Sequence, residues 1–451
     1  MPSTYLTRTA SKAGNSTTFT ISMWVKRTEL SSSDWIIRST NGSGDAGGMY
    51  FNSSNNLQVN FETGGVANTN LVTDRVLRDM NAFYHIVLEV DTTQATSSNR
   101  LKLYINGEQE TSFSTETYPS QNTNMHINKT QALFLGTDSA SSVNRWSGIM
   151  AHAHLIDGTA YDADTFGETD STTGIWKPKL SPSVTYGTNG FFLKFENSSS
   201  MGTDSSGNDN DFTVTGTMTQ TIDTPSNVFA TLNPLDRSNG TTAVVSNGNL
   251  TLAHSGGANG AHTILRSTLA VSKGKYYCEY KQTVNGGTNR FGIIDIAQSD
   301  YPTESNPYIG TFSGGYAYLS DGNKENNATQ TAYGNTYTSG DIIGVAFDAD
   351  NGVIWFSKNG TWQNSATIAE IEAGTTTNAA FTGIDTSTSY AFASSPYNNQ
   401  AGTHNFGNGY FGTTAVSSAQ NPDDGIGIFE YDVPAGYRAL CTKSINAEEY
   451  D

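Results

Sequence analysis

The chain of 451 residues has only two cysteines, Cys278 and Cys441, far apart in sequence. Two such thiols make no disulfide framework, and this usage points to a reducing compartment. Charge is scarce too: Asp, Glu, Lys and Arg make up 15% of the residues, and the formal balance is −18. No basic cluster interrupts that negative balance. Nucleic acid and anionic membrane surfaces are therefore excluded as expected partners, because both need Lys or Arg as counter-charge. No apolar run approaches a membrane span, and "MPSTYLTRTASKAG" lacks an apolar signal core. The expectation is a soluble protein, made without a cleaved leader and not inserted in a membrane. Helical periodicity is also rare. The short apolar runs are β-branched or aromatic and end in Gly, Asn, Asp or Ser, which is the grammar of strands and turns.

What the chain does contain is aromatic residues at 11%, enough to pack cores, and 45 glycines for its turns. Its length allows two or three domains with proper interiors. "DIIGVAFDADNGVIWFSKNGTWQ" (341–363) reads as a β-hairpin: Ile343, Val345 and Phe347 alternate with the opposite face, "DADNG" turns, "VIWFSK" returns, and Asn359-Gly360 starts the next reversal. "HIVLEVDTTQATSSNRLKLYINGEQE" (85–110) repeats that syntax. In "TFTISMWVKR", Phe19, Ile21, Met23 and Val25 alternate with a face that carries Trp24. Short strands with turns every eight to twelve residues define an all-β class of two tandem antiparallel β-sandwiches. The division is 1–235 and 236–451. Residues 1–167 are the core of the first sandwich, and 168–235 supply completing strands and a Pro-bearing linker. A boundary near 224–247 follows from the Pro, Asn and Ser of "DTPSNVFATLNPLDRSNG".

Several stretches also resemble known families. "FTISMWVKR", "AFYHIVLEVD", "LKLYINGE" and "LFLGTD" with "WSGIMAHAHLIDGTAYD" resemble the laminin G-like, concanavalin A-like lectin/glucanase sandwich, a jelly roll. "TDSSGNDNDFTVTG" resembles a segment common in such domains. "KGKYYCEY", "NRFGIIDI", "YLSDGN" and "GDIIGVAFDADNGVIWFSKNG" resemble a SPRY (B30.2-like) domain, with Cys278 where that family usually has tryptophan. The order of these two blocks, with "DTPSNVFATLNPL" between and "VPAGYRALCT" after, resembles virion structural proteins of tailed phages, particularly those of marine bacteria. That resemblance implies a tail-fibre or adhesin module binding a host-surface glycan or protein receptor. Its alternative is capsid decoration or a head fibre, bound to other virion proteins. It implies a virion location after assembly in the host cytoplasm, and homo-oligomers in the particle.

"EVDTTQ" (89–94) approaches the Glu-x-Asp-x-x-Glu of glucanases, but Gln94 stands where an acid is needed, and retaining hydrolysis needs both carboxyls. Asp91 reads better as a strand-edge residue bonding nearby backbone. No enzyme is expected; a polysaccharide-degrading enzyme is the last reading. His152 and His154, on one strand face, read as an ordinary sheet pair before a metal site. The Asx-rich loop 203–211 offers Asp204, Asn208 and Asp211 as weak calcium candidates, although no distal Glu follows. No other cofactor is expected. Binding is better supported. Tyr301, Tyr308, Tyr333 and Tyr397 fall in polar loops of the second block, and a tyrosine joins an apolar face to a polar tip.

Overall fold

The computed structural model describes residues 4–141, 144–238, 243–254, 262–298 and 307–450. Two compact units divide the chain: Met1–Gln220 with Thr224–Ser226, and Thr221–Asp223 with Asn227–Asp451. Each is built on a pair of antiparallel sheets, so the all-β expectation of tandem sandwiches holds.

In the first unit an eight-stranded sheet faces a six-stranded one. Thr18–Arg27 shows why these residues form strands. Phe19, Ile21, Met23 and Val25 are buried in the space between the sheets, while Thr20, Ser22 and Trp24 take the other face. Its neighbour Tyr84–Asp91 likewise sends Ile86, Leu88 and Val90 inward. The following hairpin closes on Asn106 and Gly107, at φ 52° and 86°, the left-handed pair that a tight reversal demands.

Segment 158–189 does not extend this sandwich. It folds across the outer face of the six-stranded sheet, where Ala163 and Phe166 join Val87 and Ile156 in a small core of their own. A two-stranded ribbon, Gly167–Thr169 with Trp176–Pro178, lies within it. A side chain at Gly167 would strike the Trp176 ring, since its Cβ would sit 2.3 Å from that ring. Further on, Phe191–Leu193 pairs with Ala153–Leu155, and Thr213–Thr215 pairs with Tyr5–Thr7. Each adds a strand to one of the two sheets of the first unit.

The linker expectation is corrected at its end. From Asn227 onward the chain belongs to the second unit: Ala230 N donates to Leu440 O at 2.9 Å, and Leu232–Arg237 forms an edge of a seven-stranded sheet. The physical reason is the apolar content of this stretch. Phe229, Ala230 and Leu232 are fully buried, so "NVFATL" is core rather than connector, and the division falls at 220–227, before residue 235 and at the lower end of the 224–247 window.

The second unit pairs that seven-stranded sheet with another built around Lys275–Val284, Ile342–Asp348 and Val353–Lys358. The hairpin expected at 341–363 forms in the expected register, with Phe347 opposite Ile354 and Ile343 opposite Lys358. Asn359 and Gly360 take φ 49° and 76° at the next turn. Cys278 is fully buried and packs in the core between the sheets. Residues 417–441 and the helix Ile368–Glu372 cover the outer face of the second sheet, burying Trp355 and Tyr277. Glu279 fastens that cover: its carboxylate accepts from Glu430 N and Tyr431 N, both at 2.9 Å. Arg438–Ala439 then pairs parallel to Tyr276–Tyr277. The chain next forms a helix, Thr442–Tyr450, which the strand-dominated sequence reading did not include.

Candidate binding site

Strand ends bring the second unit's loops together. Ser395 lies opposite Arg290, and Val284 opposite Ala401, so loops 285–289 and 396–400 share one end of the sandwich. They are laced to each other. Asn398 Nδ2 donates to Gly286 O at 3.1 Å, and Gln400 Nε2 donates to Gly287 O. Asn398 and Asn399 both hold positive φ (53° and 60°), which curls the loop and presents Tyr397. Residues 307–314 lie on the outer face of the seven-stranded sheet, where Ile309 and Phe312 pack on Ile264, Ile294 and Ala393. Tyr308 precedes the short 3₁₀ turn there, Ile309–Thr311.

Tyr308 and Tyr397 converge on His262. The Tyr397 ring stacks on the imidazole at 4.5 Å between centroids, and Tyr308 meets it edge-on at 5.1 Å. Beneath Tyr308 lies the Arg290 guanidinium, 3.9 Å from the ring centroid. That guanidinium is held by Glu325, with Nε to Oε2 at 2.6 Å, and Gln330 donates to the other carboxylate oxygen at 2.9 Å. Burial, aided by the nearby Arg290 charge, pushes the His262 pKa down to about 3, so the imidazole is neutral at physiological pH. Both tyrosines are half-buried. The result is an aromatic shelf on a rigid ion-paired base.

Two of the four tyrosines chosen from sequence therefore meet. Tyr333 does not join them. It is 7% exposed, packs edge-on to Tyr318 in the core, and its hydroxyl accepts from Phe356 N at 3.3 Å. The polar sequence around it hid a core residue, and its selection as a contact residue is corrected. Tyr301 lies outside the described residues. Sequence reasoning missed His262, Arg290 and Glu325. Isolated in "AHTILR", His262 carries no local signal, because its partners come from loops far away in the chain.

The first unit accounts for its polar residues differently. Lys102 Nζ and the Tyr104 hydroxyl donate to the Glu89 carboxylate at 2.9 and 2.8 Å. Asp91 bonds Thr93, and Gln94 Nε2 donates to it at 2.6 Å. Burial pushes the Asp91 pKa up, but these bonds outweigh it and hold the carboxyl below its usual value. Both groups sit as bonded strand-edge residues.

His152 and His154 do not keep simple strand alternation. A bulge between Ala151 and His154 puts His152 at φ 46°, and the rings lie 6.3 Å apart among Phe192, Phe166 and Tyr186. The bulge breaks strict alternation, yet both rings meet Phe192 and so share one face of the sheet, as expected. Among the described residues no group of three His, Cys, Asp or Glu side chains is placed to hold a metal ion.

The 203–211 loop satisfies itself. Asp204 Oδ1 accepts from Phe192 N and Ser206 N, and its Oδ2 accepts from Ser206 Oγ and Asn210 N, all within 2.9 Å. Asp211 accepts from Asp204 N, while Asn208 turns its amide N–H groups to carbonyls of Gly187 and Gly190. These oxygens face N–H and O–H donors, not a common centre. The calcium reading of Asp204, Asn208 and Asp211 does not fit this donor set.

Comparison with known proteins agrees with the architecture. Residues 3–164 match the concanavalin A-like lectin/glucanases superfamily, and residues 275–409 match the SPRY domain. The ATP-dependent RNA helicase DDX1 of Xenopus laevis is 36% identical over 95 residues, 21% of this chain and 12% of that protein. The dual specificity protein kinase splA of Dictyostelium discoideum is 30% identical over 105 residues, 23% of this chain and 4% of the kinase. The chain thus spans only a small part of the curated relatives it matches. The crystal structure of the SPRY domain of human HERC1 aligns over 38% of this chain and 96% of its own, at 19% identity and a TM-score of 0.30. This chain carries a concanavalin A-like lectin/glucanase-type domain followed in tandem by a SPRY domain.

Proposed function

We propose that this protein is a non-enzymatic recognition module, with its partner held at the aromatic shelf of Tyr308, His262 and Tyr397. The observation that carries the reading is the convergence of two half-buried tyrosine rings on one neutral imidazole over the Arg290–Glu325 pair. Half-buried tyrosines on a fixed base give contact area at little ordering cost, and that suits a sugar face or an extended peptide. SPRY and laminin G-type domains in general mediate interactions, which supports the same reading. The resemblance of the tandem order to tailed-phage structural proteins supports a place in the virion, as a fibre or adhesin contacting a host-surface glycan or receptor.

The test is adsorption to host cells of virions carrying Tyr308→Ala with Tyr397→Ala. Reduced adsorption with intact particles supports the adhesin reading. A defect in particle assembly instead points to another virion protein as partner, the decoration role. Unchanged adsorption and assembly sink the shelf as the contact site. Catalytic silence is tested separately, by reducing-sugar release from bacterial polysaccharides. Release that disappears in Glu89→Gln would refute it.

A further inference from the structure

Segment 158–189 is held on the outer face of the six-stranded sheet by bonds that need neutral histidines. Its two roots are pinned at one point: Asp157 accepts from Asn15 N at 2.7 Å and from Asn189 N at 3.0 Å. Beside that point Gly158 and Gly187 hold φ of 97° and 70°, a glycine at each root where the backbone can turn most easily. The segment's ion pairs are its own. Lys177 Nζ lies 2.9 Å from Asp170 and 3.7 Å from Glu168, and Lys179 Nζ donates to Asp164 O. Among the described residues none of its charged side chains forms an ion pair with the sheet beneath.

Three things fasten it. Ala163 and Phe166 pack on Val87 and Ile156, the Thr20 hydroxyl bonds Tyr161 N and Thr159 O, and two imidazoles meet its aromatic residues. The Trp176 indole N–H donates to His85 Nδ1 at 3.0 Å, and the Tyr186 hydroxyl meets His154 Nδ1 at 3.0 Å. An indole N–H only donates, so its bond exists only while His85 Nδ1 carries no proton. His154 is 2% exposed, with Phe166 and Phe192 at 5.2 and 3.9 Å between centroids, where a cation would have lost its water.

Little nearby charge would compensate. His152, 6.3 Å from His154, is a third imidazole, and Glu196 and Lys194 beside it act on it in opposite senses. Glu89 is engaged by Lys102 and the Tyr104 hydroxyl, and Lys26 adds a positive charge to the strand that carries Ser22 and Trp24. On the segment itself, Asp162 and Asp164 lie toward Tyr104. Burial, with the neighbouring imidazoles, accordingly pushes the pKa values of His85 and His154 down, that of His85 to about 3.

We propose that segment 158–187 is an acid-released flap: between about pH 6 and 5, proton uptake by His85 and His154 frees it to swing about Gly158 and Gly187 and uncover Ser22, Trp24 and Val87. An uncovered histidine titrates at about pH 6.5, so each one favours the open form about tenfold per pH unit below that, and the two together about a hundredfold. Carboxyl groups in general titrate at about pH 4, which leaves this window to the histidines. The device lies in the first unit and does not depend on the aromatic shelf.

The experiment is thiol labelling with 4,4′-dithiodipyridine, which reacts in acid, on full chains carrying Val87→Cys or Val90→Cys. Both valines are fully buried, Val87 under the flap and Val90 in the core between the sheets. From pH 6 to pH 5 labelling of Val87→Cys accelerates about a hundredfold while Val90→Cys stays protected, and adding His85→Gln cuts the rise to about tenfold. In the unsubstituted chain, hydrogen exchange at Tyr161 N, which donates to Thr20 Oγ1 at 2.8 Å, accelerates in the same window after correction for its intrinsic rate. That measurement keeps the test valid where a variant folds poorly. Val87→Cys equally protected at pH 7 and 5, Val90→Cys labelled in step with it, the same rise with and without His85→Gln, or Tyr161 exchange indifferent to pH each overturns the proposal.

Discussion

Acid should loosen the first unit, and His85 is where the effect can be worked out. Its ring is fully buried and stacks on Trp24, with centroids 4.5 Å apart and planes 13° from parallel. Its Nδ1 accepts from the Trp176 indole N–H at 3.0 Å, so its proton resides on Nε2, which donates to Ser22 Oγ at 2.9 Å. A second proton could enter only at Nδ1, where it would break the Trp176 bond and place a charge in an apolar layer. Burial, with the adjacent His152, accordingly pushes the His85 pKa down to about 3.

A base with a lower pKa in the folded chain than in the unfolded one takes up its proton on unfolding. Its stabilisation is fully present above pH 6.5 and is lost as pH falls toward 3. Each pH unit in that window costs about 1.4 kcal/mol, hence about 2 kcal/mol at pH 5 from His85 alone. His154, buried and stacked on Phe192 at 3.9 Å, acts in the same direction. That is a large share of a typical domain's stability of about 5–15 kcal/mol. The assay is urea unfolding at pH 7, 6 and 5, followed by tryptophan fluorescence, in wild type and His85→Gln. The glutamine retains an acceptor for Trp176 and a donor for Ser22, and removes only the titration and the ring stack. Its stability should fall less steeply below pH 6.5, by about 1.4 kcal/mol per pH unit. An identical slope in the two proteins would refute the reasoning.

Three other outcomes follow from the packing. Tyr333→Ala should cost about 3–5 kcal/mol in urea unfolding because it empties core space, whereas Tyr397→Ala should cost less than about 1.5 kcal/mol; equal costs would contradict the burial contrast. Glu279→Ala leaves the N–H groups of Glu430 and Tyr431 without their acceptor and should destabilise the second unit by about 3 kcal/mol, with protease cutting first in 417–441; resistance equal to wild type there would count against its fastening role. Millimolar calcium, or its removal with EDTA, should leave the melting temperature unchanged, since the Asp204 oxygens already face N–H and O–H donors. A calcium-dependent rise would return the loop to the list of metal sites.

The sequence by itself determined the class of this protein, because strand periodicity and turn chemistry are local. Phe19 to Val25 and Ile343 to Phe347 alternate with period two whatever lies around them, and Asn106-Gly107 and Asn359-Gly360 take positive φ with little help from neighbours. The departure from the glucanase motif was legible for the same reason, since Gln94 lacks an acid in any fold. The sites were not local. Tyr333 and Tyr397 have equally polar neighbours in sequence, and only the packing of Tyr318 and Phe356 buries the first. His262, Tyr308 and Tyr397 become one surface because loops distant in the chain end at the same edge of a sandwich. His85 reads as an ordinary strand residue until Trp176 is folded against it. Segment 158–189 shows no sign in its composition that it will lie over a sheet face, and "NVFATL" shows none of which sandwich will bury it. Such placements depend on which distant apolar surfaces meet, and long-range burial decides that where local pattern cannot.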